Sequence, residues 1–249
     1  MRPHTPIRVF ETRAPVARRD ILYIAARAPR PGFAKSRLGR IIGHQRAADL
    51  YAAFLQDLAA RFARVPFAVG WYVTPEDAWP ELRPLLGPVA WSGPAIVQGP
   101  GDWTTRQREL FLGAGARGEQ RTVLAASDSP HLTVETVAEA FDRLDHDDLV
   151  LGPTADGGYY LIGMRAPHEV LAGVRMSTGT VLEEIVARAE ALGLATGLLP
   201  PTFDVDEAAD LDRLIPLALE RNDLAWTRAA LDHLGLLPTA PVAALGGRR

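Results

Sequence analysis

Short apolar runs alternate along the chain with longer segments in which apolar residues recur every three or four positions. The short runs, rich in aromatic and β-branched residues, predict six strands, at Ile21–Ala26, Phe67–Val73, Arg121–Ala126, Leu149–Gly152, Tyr159–Met164 and Ala195–Leu199. The longer segments predict five helices, at His44–Arg64, Pro75–Leu86, Thr104–Ala114, Val134–Leu144 and Thr178–Leu192. We expect a further helix to begin near Glu207.

This alternation of strands and helices predicts an α/β fold: a three-layer α/β/α sandwich around a mostly parallel, Rossmann-like sheet. Such sheets bind ligands outside the carboxyl ends of their strands, so the residues that follow each strand are the candidates for a site. We expect a single domain over residues 20–237, between a flexible N-terminal arm (1–19) and a flexible C-terminal tail (238–249).

Composition and charge narrow the classes of function. The chain has 249 residues, a formal net charge of -3 and no Cys, which excludes disulfides, thiol nucleophiles and zinc–thiolate sites. The first twenty residues lack the apolar run of a signal peptide, and no stretch reaches the length of a membrane span. We therefore expect a cytoplasmic protein without a nucleic-acid or membrane partner. The oligomeric state is left open.

A cationic loop follows the first predicted strand. No acidic residue occurs between Ile21 and Gln45, and the loop contains Arg27, Pro31, Gly32, Lys35 and Arg37. Arginine offers a planar fork to phosphate oxygens and lysine a mobile point charge. Cations at the end of a strand thus indicate a site for a di- or triphosphate, and a solvated basic loop is the alternative.

Carboxylates follow two other predicted strands. Asp128 comes directly after the third strand, and Asp204 and Asp206 follow the last one, alternating with apolar Phe203 and Val205. Mg²⁺ and Mn²⁺ are held by carboxylate oxygens together with substrate phosphates, so the three aspartates are candidate metal ligands. The alternatives are a turn at Asp128 and helix capping by Asp206.

A turn rich in glycine precedes the fifth predicted strand. Gly157 and Gly158 permit close approach of a ligand to the backbone, and Asp156 is a candidate base toward an acceptor hydroxyl. A tight Asp-Gly turn without a catalytic role is the alternative.

The segments APRPGFAKSRL, SDSP, DGGYYLIG and DVD, in this order, resemble a GT-A-fold family. Its members are nucleotide-diphospho-sugar-transferase-like proteins, uncharacterised transferases associated with radical-SAM or arsenosugar genes and often named glycosyltransferases. The resemblance covers about Ile21 to Leu214. The family is similar to phospholactate guanylyltransferases and molybdenum-cofactor nucleotidylyltransferases, whose aspartates matching Asp128 and Asp206 hold Mg²⁺.

The resemblance also implies roles for residues outside these segments. It makes Arg106 a nucleotide-binding residue, and it places Tyr159, Ser177 and Thr178 with the two turn glycines toward the acceptor. The chain departs from the family pattern at Trp103–Thr105, next to Arg106, where the family usually has Leu-Gly-Glu. This departure indicates a different acceptor.

Two reactions fit these residues. In nucleotidylyl transfer, a phosphorylated small molecule attacks the α-phosphorus of a nucleoside triphosphate and pyrophosphate leaves, with Lys35, Arg37 and a metal on Asp128 neutralising charge. In glycosyl transfer, the donor is a nucleotide sugar and Asp156 is the candidate base. The density of cations favours the first, and a homologue that binds nucleotide without turnover is a third possibility.

Overall fold

A computed structural model of the chain describes residues 9–11, 20–88, 92–176 and 178–238. The strands are β1 (Val9–Glu11), β2 (Asp20–Arg27), β3 (Ala68–Thr74), β4 (Ala95–Val97), β5 (Arg121–Ala126), β6 (Leu149–Pro153), β7 (Tyr159–Met164) and β8 (Thr196–Leu198). The α-helices are α1 (Ser36–Ile42), α2 (His44–Arg61), α3 (Trp79–Leu86), α4 (Trp103–Ala116), α5 (Val134–Arg143), α6 (Val181–Ala191), α7 (Leu211–Glu220) and α8 (Ala225–His233).

The strands form one sheet in the order β1-β4-β3-β2-β5-β7-β6-β8. Strands β4, β3, β2 and β5 run parallel to one another, and β8 runs parallel to β6. Strand β7 is antiparallel to both of its neighbours, and the three-residue β1 is antiparallel to β4. The carboxyl ends of β2 and β5 therefore lie side by side in the middle of the sheet.

Two apolar clusters pack against this sheet, because alternate residues of a strand point to opposite faces. Leu22 and Ile24 of β2 belong to a cluster with residues of α2, α3, α5, α7 and α8. Ile21 and Tyr23 of the same strand belong to a second cluster with residues of α4 and α6. Both faces of the central strands are thus buried, which explains why β3 has no exposed position.

The structure confirms the predicted α/β fold with a mostly parallel sheet, and it confirms all six predicted strands and five predicted helices. Two strands, β5 and β7, have the predicted bounds, and the other elements have shifted ends. The three-layer, GT-A description stays a prediction. The sequence patterns missed β4, which has three residues, and α1, which has seven. Elements this short contain too few residues to display a period.

The structure describes only a few residues of the two predicted terminal segments. Residues 9–11 of the expected flexible arm form β1 instead, hydrogen-bonded to β4. The rest of the arm (1–8 and 12–19) and residues 239–249 of the expected tail lie outside the described residues. No helix in the described parts of the chain combines the length and the apolar character that a membrane span requires.

Candidate functional site

Three loops meet at the carboxyl ends of the central strands. The first follows β2 and carries Lys35, the second follows β5 and carries Asp128, and the third follows β8 and carries Asp206. The backbone N–H of Val205 donates to the carbonyl oxygen of Asp128 at 2.9 Å. This bond joins the second and third loops directly, so carboxylates far apart in the sequence become neighbours.

Lys35 lies at the centre of this meeting point. Its ammonium is ion-paired with Oδ1 of Asp128 and lies 3.1 Å from Oδ1 of Asp206, and only 2% of its side chain is exposed. Burial disfavours the ammonium, but the two carboxylates outweigh this effect and raise the pKa of Lys35 above its ordinary value. Lys35 is therefore a buried cation fixed by two anions.

The backbone at Lys35 is strained. Its φ of 50° makes it the one non-glycine residue with positive φ in the described parts of the chain. This left-handed conformation costs an ordinary residue roughly 1 kcal/mol or more. The ion pairs of the side chain hold the residue in place at the start of α1.

Asp206 is available for ion pairing because another residue caps the next helical turn. Oδ2 of Asp210 accepts from the backbone N–H groups of Asp206 and Glu207. Glu207 is the N-cap of this turn and Asp210 completes the capping box, so the helix-capping alternative for Asp206 is not what the structure shows. Burial raises the pKa of Asp206, but Lys35 and then Arg37 outweigh this and lower it below the ordinary value.

Arg37 makes looser contacts at the rim of the site. Its guanidinium lies 3.8 Å from Oδ2 of Asp206 and 3.4 Å from Oε1 of Glu207, and 57% of its side chain is exposed. An exposed pair of this kind contributes little stability, so Arg37 is free to exchange partners. The structure brings both predicted cations to the predicted carboxylates.

Asp204 is half-buried, like Asp128 and Asp206, and is hydrogen-bonded to the second loop. The hydroxyl of Ser129 donates to its Oδ1 at 2.5 Å. Burial, followed by the negative charge of Asp128, raises the pKa of Asp204 to about 7. Phe203 and Val205 are buried in the core on either side of it, as the alternation in the sequence predicts.

The side chain of Tyr51 supports the site from the buried face of α2. The hydroxyl of Tyr51, in α2, accepts from the backbone N–H of Arg27 at 3.0 Å and lies 2.7 Å from Oγ of Ser127. Its ring lies beneath Lys35, with the ammonium 5.8 Å from the ring centroid. Tyr51 thereby ties the ends of β2 and β5 together, which helical periodicity alone does not reveal.

His131 connects the second loop to the third. Its Nε2 lies 2.6 Å from Oγ1 of Thr202, and its ring stacks on Phe203 with the centroids 4.2 Å apart. The other ring nitrogen, Nδ1, is buried and has no hydrogen-bond partner among the described residues. Nothing in the sequence distinguishes His131 from a surface or packing residue, so this link between the loops could not be predicted.

Acidification is expected to destabilise the fold through His131. Burial and three nearby arginines (Arg221, Arg61 and Arg213) lower its pKa from 6.5 to about 4. Between these values the unfolded chain binds a proton that the folded chain does not. His131 therefore contributes stability above pH 6.5 that is lost as the pH falls toward 4, about 2 kcal/mol between pH 7 and pH 5. Urea unfolding of the wild type and of His131→Asn at both pH values measures this difference, and equal pH slopes would contradict it.

The other predicted phosphate-binding residues of the first loop lie at its surface. Arg27, Pro31 and Gly32 are exposed, and the guanidinium of Arg27 lies 5.8 Å from the ring centroid of Phe33. Arg30, also in this loop, is ion-paired with Asp77 and Glu81. The cations of the loop are thus partly neutralised by carboxylates that the sequence did not associate with them.

Arg106 lies on α4, beside the end of β4. Its guanidinium donates to Oε1 of Gln98 at 3.3 Å, and its Nε is buried without a partner. The amide of Gln98 in turn donates to the carbonyl oxygen of Tyr72 at 2.8 Å. Arg106 therefore lies at the same edge of the sheet as Lys35, two strands further along.

The glycine-rich turn lies between β6 and β7, and Asp156 closes it. Oδ1 of Asp156 accepts from Oγ1 of Thr154 at 2.5 Å and from the N–H of Gly158 at 3.2 Å. Gly157 has a φ of 83°, and a Cβ there would lie 2.0 Å from the carbonyl oxygen of Gly179. Asp156 and Gly157 thus form a tight turn, which the sequence predicts as the alternative to a catalytic role for Asp156.

The remaining candidate acceptor residues are dispersed. The hydroxyl of Tyr159 bonds with the buried side chain of Gln107 at 2.8–2.9 Å, so it faces α4. Thr178 is exposed and donates to the carbonyl oxygen of Arg175 at 3.3 Å. Ser177 lies outside the described residues. The structure brings neither Tyr159 nor Thr178 into contact with the aspartates.

The aspartates offer suitable atoms for a divalent cation, with one complication. Asp128 and Asp206 are 41% and 39% exposed and present hard carboxylate oxygens, which suit Mg²⁺ or Mn²⁺. Within the described ranges, however, no three acidic or histidine side chains are grouped as ligands of one ion. The ammonium of Lys35 contacts the Oδ1 atoms of both carboxylates. The donor atoms fit, and the ammonium occupies the space between them.

Comparison with protein families gives one match. Residues 72–178 match the family described as uncharacterized proteins conserved in bacteria (DUF2064). This region contains Arg106, Asp128 and the glycine-rich turn, and it excludes the first and third loops. Comparison with curated proteins gives no match.

Comparison with solved structures extends the similarity to nearly the whole chain. A protein of Desulfovibrio desulfuricans, provisionally assigned as a nucleotide-diphospho-sugar transferase, is 31% identical over 89% of this chain and 100% of its own, with a TM-score of 0.75. A nucleotidyl transferase of Methanothermobacter thermautotroptrophicus is 16% identical over 82% of this chain and 99% of its own, with a TM-score of 0.52. A cytidylyltransferase of Leptospira borgpetersenii is 13% identical over 90% and 99%, also with a TM-score of 0.52.

The last two similarities concern the fold alone, whereas the first is close enough to show common membership. The chain belongs to the family of the Desulfovibrio desulfuricans protein, and its middle part carries the DUF2064 region.

Proposed function

We propose that the chain is a metal-dependent, GT-A-type transferase that acts on a nucleotide-activated substrate, and that the reaction is nucleotidylyl transfer. A phosphorylated small molecule is the acceptor, a nucleoside triphosphate is the donor, and pyrophosphate is released. The observation that carries the proposal is the convergence of Lys35 and Arg37 with Asp128 and Asp206 at the carboxyl edge of the sheet. Ligands of parallel α/β sheets bind at this edge.

The charges of the site suit a polyphosphate and a cation bound together. Asp128 and Asp206 would hold Mg²⁺ or Mn²⁺, and Asp204 adds a third carboxylate beside them. A bound cation supplies charge neutralisation for the phosphate oxygens and the leaving group. Lys35, Arg37 and Arg27 contribute three positive charges around the same carboxylates, two of them on side chains that can reorient at the surface.

In the proposed reaction, an oxygen of the acceptor phosphate forms a bond to the α-phosphorus. The bond from the α-phosphorus to the oxygen that bridges to the β-phosphorus breaks, and pyrophosphate leaves with the electron pair. Such reactions depend on positioning and on neutralisation of the developing charge. Lys35 and Arg37 would serve the departing pyrophosphate, and the turn of Gly157 and Gly158 would line the acceptor side.

Glycosyl transfer is the second candidate, because the most similar structure reported above is provisionally assigned as a nucleotide-diphospho-sugar transferase. In that reaction Asp156 would deprotonate the acceptor hydroxyl. Its Oδ1 accepts from the hydroxyl of Thr154 and the amide of Gly158, so this oxygen is already engaged in closing the turn. This geometry supports nucleotidylyl transfer over a mechanism that requires Asp156 as the base.

The two candidates are distinguished by their leaving groups. The protein is incubated with Mg²⁺ or Mn²⁺, each of the four nucleoside triphosphates, and pools of phosphorylated acceptors, and pyrophosphate is measured by a coupled assay. A parallel series contains nucleotide sugars and unphosphorylated acceptors, and nucleoside diphosphate is measured. We expect pyrophosphate in the first series. Nucleoside diphosphate from the second series alone would replace nucleotidylyl transfer by glycosyl transfer.

A binding measurement tests the proposal even before the acceptor is known. A ligand that binds only the folded state raises its stability by about 2.7 kcal/mol at a concentration of one hundred times Kd. Thermal unfolding with each nucleotide and nucleotide sugar in the presence of Mn²⁺ should therefore identify the donor class. The absence of any shift with all of them would argue against a nucleotide substrate.

A further inference from the structure

Lys35 combines three properties that a simple phosphate-binding lysine does not need. It is almost fully buried, it contacts two carboxylates from different loops, and its backbone is held in a left-handed conformation. A lysine that only awaits a phosphate is better placed at the surface, where its side chain remains mobile. The ammonium of Lys35 is therefore expected to have a role in the protein without bound ligand.

The electrostatics of the cluster supply this explanation. Asp128, Asp204 and Asp206 belong to two loops joined by a main-chain hydrogen bond. The Oδ1 atoms of Asp128 and Asp206 face the same point, and their negative charges repel one another unless a cation lies between them. The ammonium of Lys35 is that cation, and the ring of Tyr51 beneath it limits its movement away from the carboxylates.

A divalent cation would use the same oxygen atoms. Oδ1 of Asp128 and Oδ1 of Asp206, the atoms that contact the ammonium, are the inner oxygens of the two carboxylates. An ammonium and a divalent cation cannot share this space, because like charges repel strongly at a separation of a few ångströms. Cation binding therefore requires that Lys35 leave, and a buried ammonium leaves only when another anion receives it.

We propose that Lys35 occupies the cation position in the free protein and is transferred to the phosphates of the incoming nucleotide when the divalent cation binds. This inference rests on the proposed function. Its consequence is a binding order: the cation and the polyphosphate bind together, and the cation alone binds weakly. Lys35 is thus a positioning residue that couples the two ligands, in addition to any contact with the nucleotide.

The experiment measures the affinity for Mn²⁺ alone, by electron paramagnetic resonance of the free ion, in the wild type and in Lys35→Met. Removal of the internal cation is expected to tighten Mn²⁺ binding at least tenfold. Arg40→Met serves as the matched control, because it removes the same charge from an exposed position of α1. We expect this control to change the affinity by less than about threefold, since exposed charges are screened.

The second measurement concerns the coupling and uses the complex of Mn²⁺ with inorganic tripolyphosphate as the probe. The wild type should bind this complex at least tenfold more tightly than Lys35→Met does, so the variant gains affinity for the bare ion and loses affinity for the complex. A lysine that only binds phosphate would lower the second affinity and leave the first unchanged. Unchanged or weakened binding of free Mn²⁺ in Lys35→Met would overturn the inference.

Two further observations keep the result interpretable. Circular dichroism and thermal unfolding establish that Lys35→Met is folded, and Lys35→Gly, which tolerates the positive φ, should show the same gain in Mn²⁺ affinity. Failure of the proposed function has a different signature: the wild type would bind no Mn²⁺–nucleotide complex at all. If the wild type binds such complexes and neither variant gains affinity for free Mn²⁺, the inference alone fails.

Discussion

Replacement of Asp128 by asparagine is expected to lower turnover at least about a hundredfold while leaving the fold intact. Asn keeps the size of the side chain and one oxygen, but it removes the negative charge that faces Lys35. With this charge absent, the site loses a metal ligand and one of the two partners of the buried ammonium. The measurement is kcat at saturating substrate. Release of pyrophosphate or of nucleoside diphosphate is followed, according to which of the two the wild type produces.

The control for this variant is Asp212→Asn, the same chemical change at an exposed position in the first turn of α7. Its kcat should equal that of the wild type. Because 41% of the Asp128 side chain is exposed, water can solvate the substituted amide, and thermal unfolding should change little. A kcat of Asp128→Asn within about threefold of the wild type would remove this residue from the reaction.

The largest loss of stability is expected for Arg61→Met. The guanidinium of Arg61 donates to the carbonyl oxygens of Pro130 and Leu132 at 2.5 and 2.8 Å. It also bonds with the carboxylate and the carbonyl oxygen of Asp223, both at 2.7 Å. Only 5% of its side chain is exposed, so Met would leave several acceptors without a partner. We expect a loss of about 3–5 kcal/mol.

Urea unfolding at pH 7 measures this loss, with Arg64→Met, an exposed arginine just beyond the end of α2, as the control. Pro130 and Leu132 follow Asp128 in the same loop, so the change should also weaken nucleotide binding at temperatures where the variant is folded. A decrease in the free energy of unfolding below about 1 kcal/mol would show that water replaces the guanidinium at these carbonyls.

The chain pattern was sufficient for six of the strands that the structure describes and for the expectation that charged loop residues meet at one edge of the sheet. Strands such as Arg121–Ala126 and Tyr159–Met164 were predicted with the bounds that the structure gives, because buried strands are rich in β-branched and aromatic residues and end at turn residues. The rule that ligands bind at the carboxyl edge then selected Lys35, Asp128 and Asp206 from among many charged residues.

What could not be predicted depends on contacts between distant segments. No pattern in the sequence indicates that Lys35 is buried between two aspartates, since that requires three loops to be in place. The hydroxyl of Tyr51 and the ring of His131 belong to the same category: each looks like a packing residue until the strand ends and the loop of Thr202 are positioned. Strand β4 was missed because it has three residues, and the apolar character of so short a segment does not distinguish a strand from a loop.

The main-chain bond between Val205 and Asp128 has a consequence for how the protein can diversify. Only proline lacks the N–H that this bond needs, so the link between the two loops depends on the backbone of residue 205 and on the apolar packing of its buried side chain. The spacing of the loops is therefore set from the core side and does not depend on the exposed side chains around them. Exposed residues at the rim, such as Arg37, can change without altering the distance between the two loops.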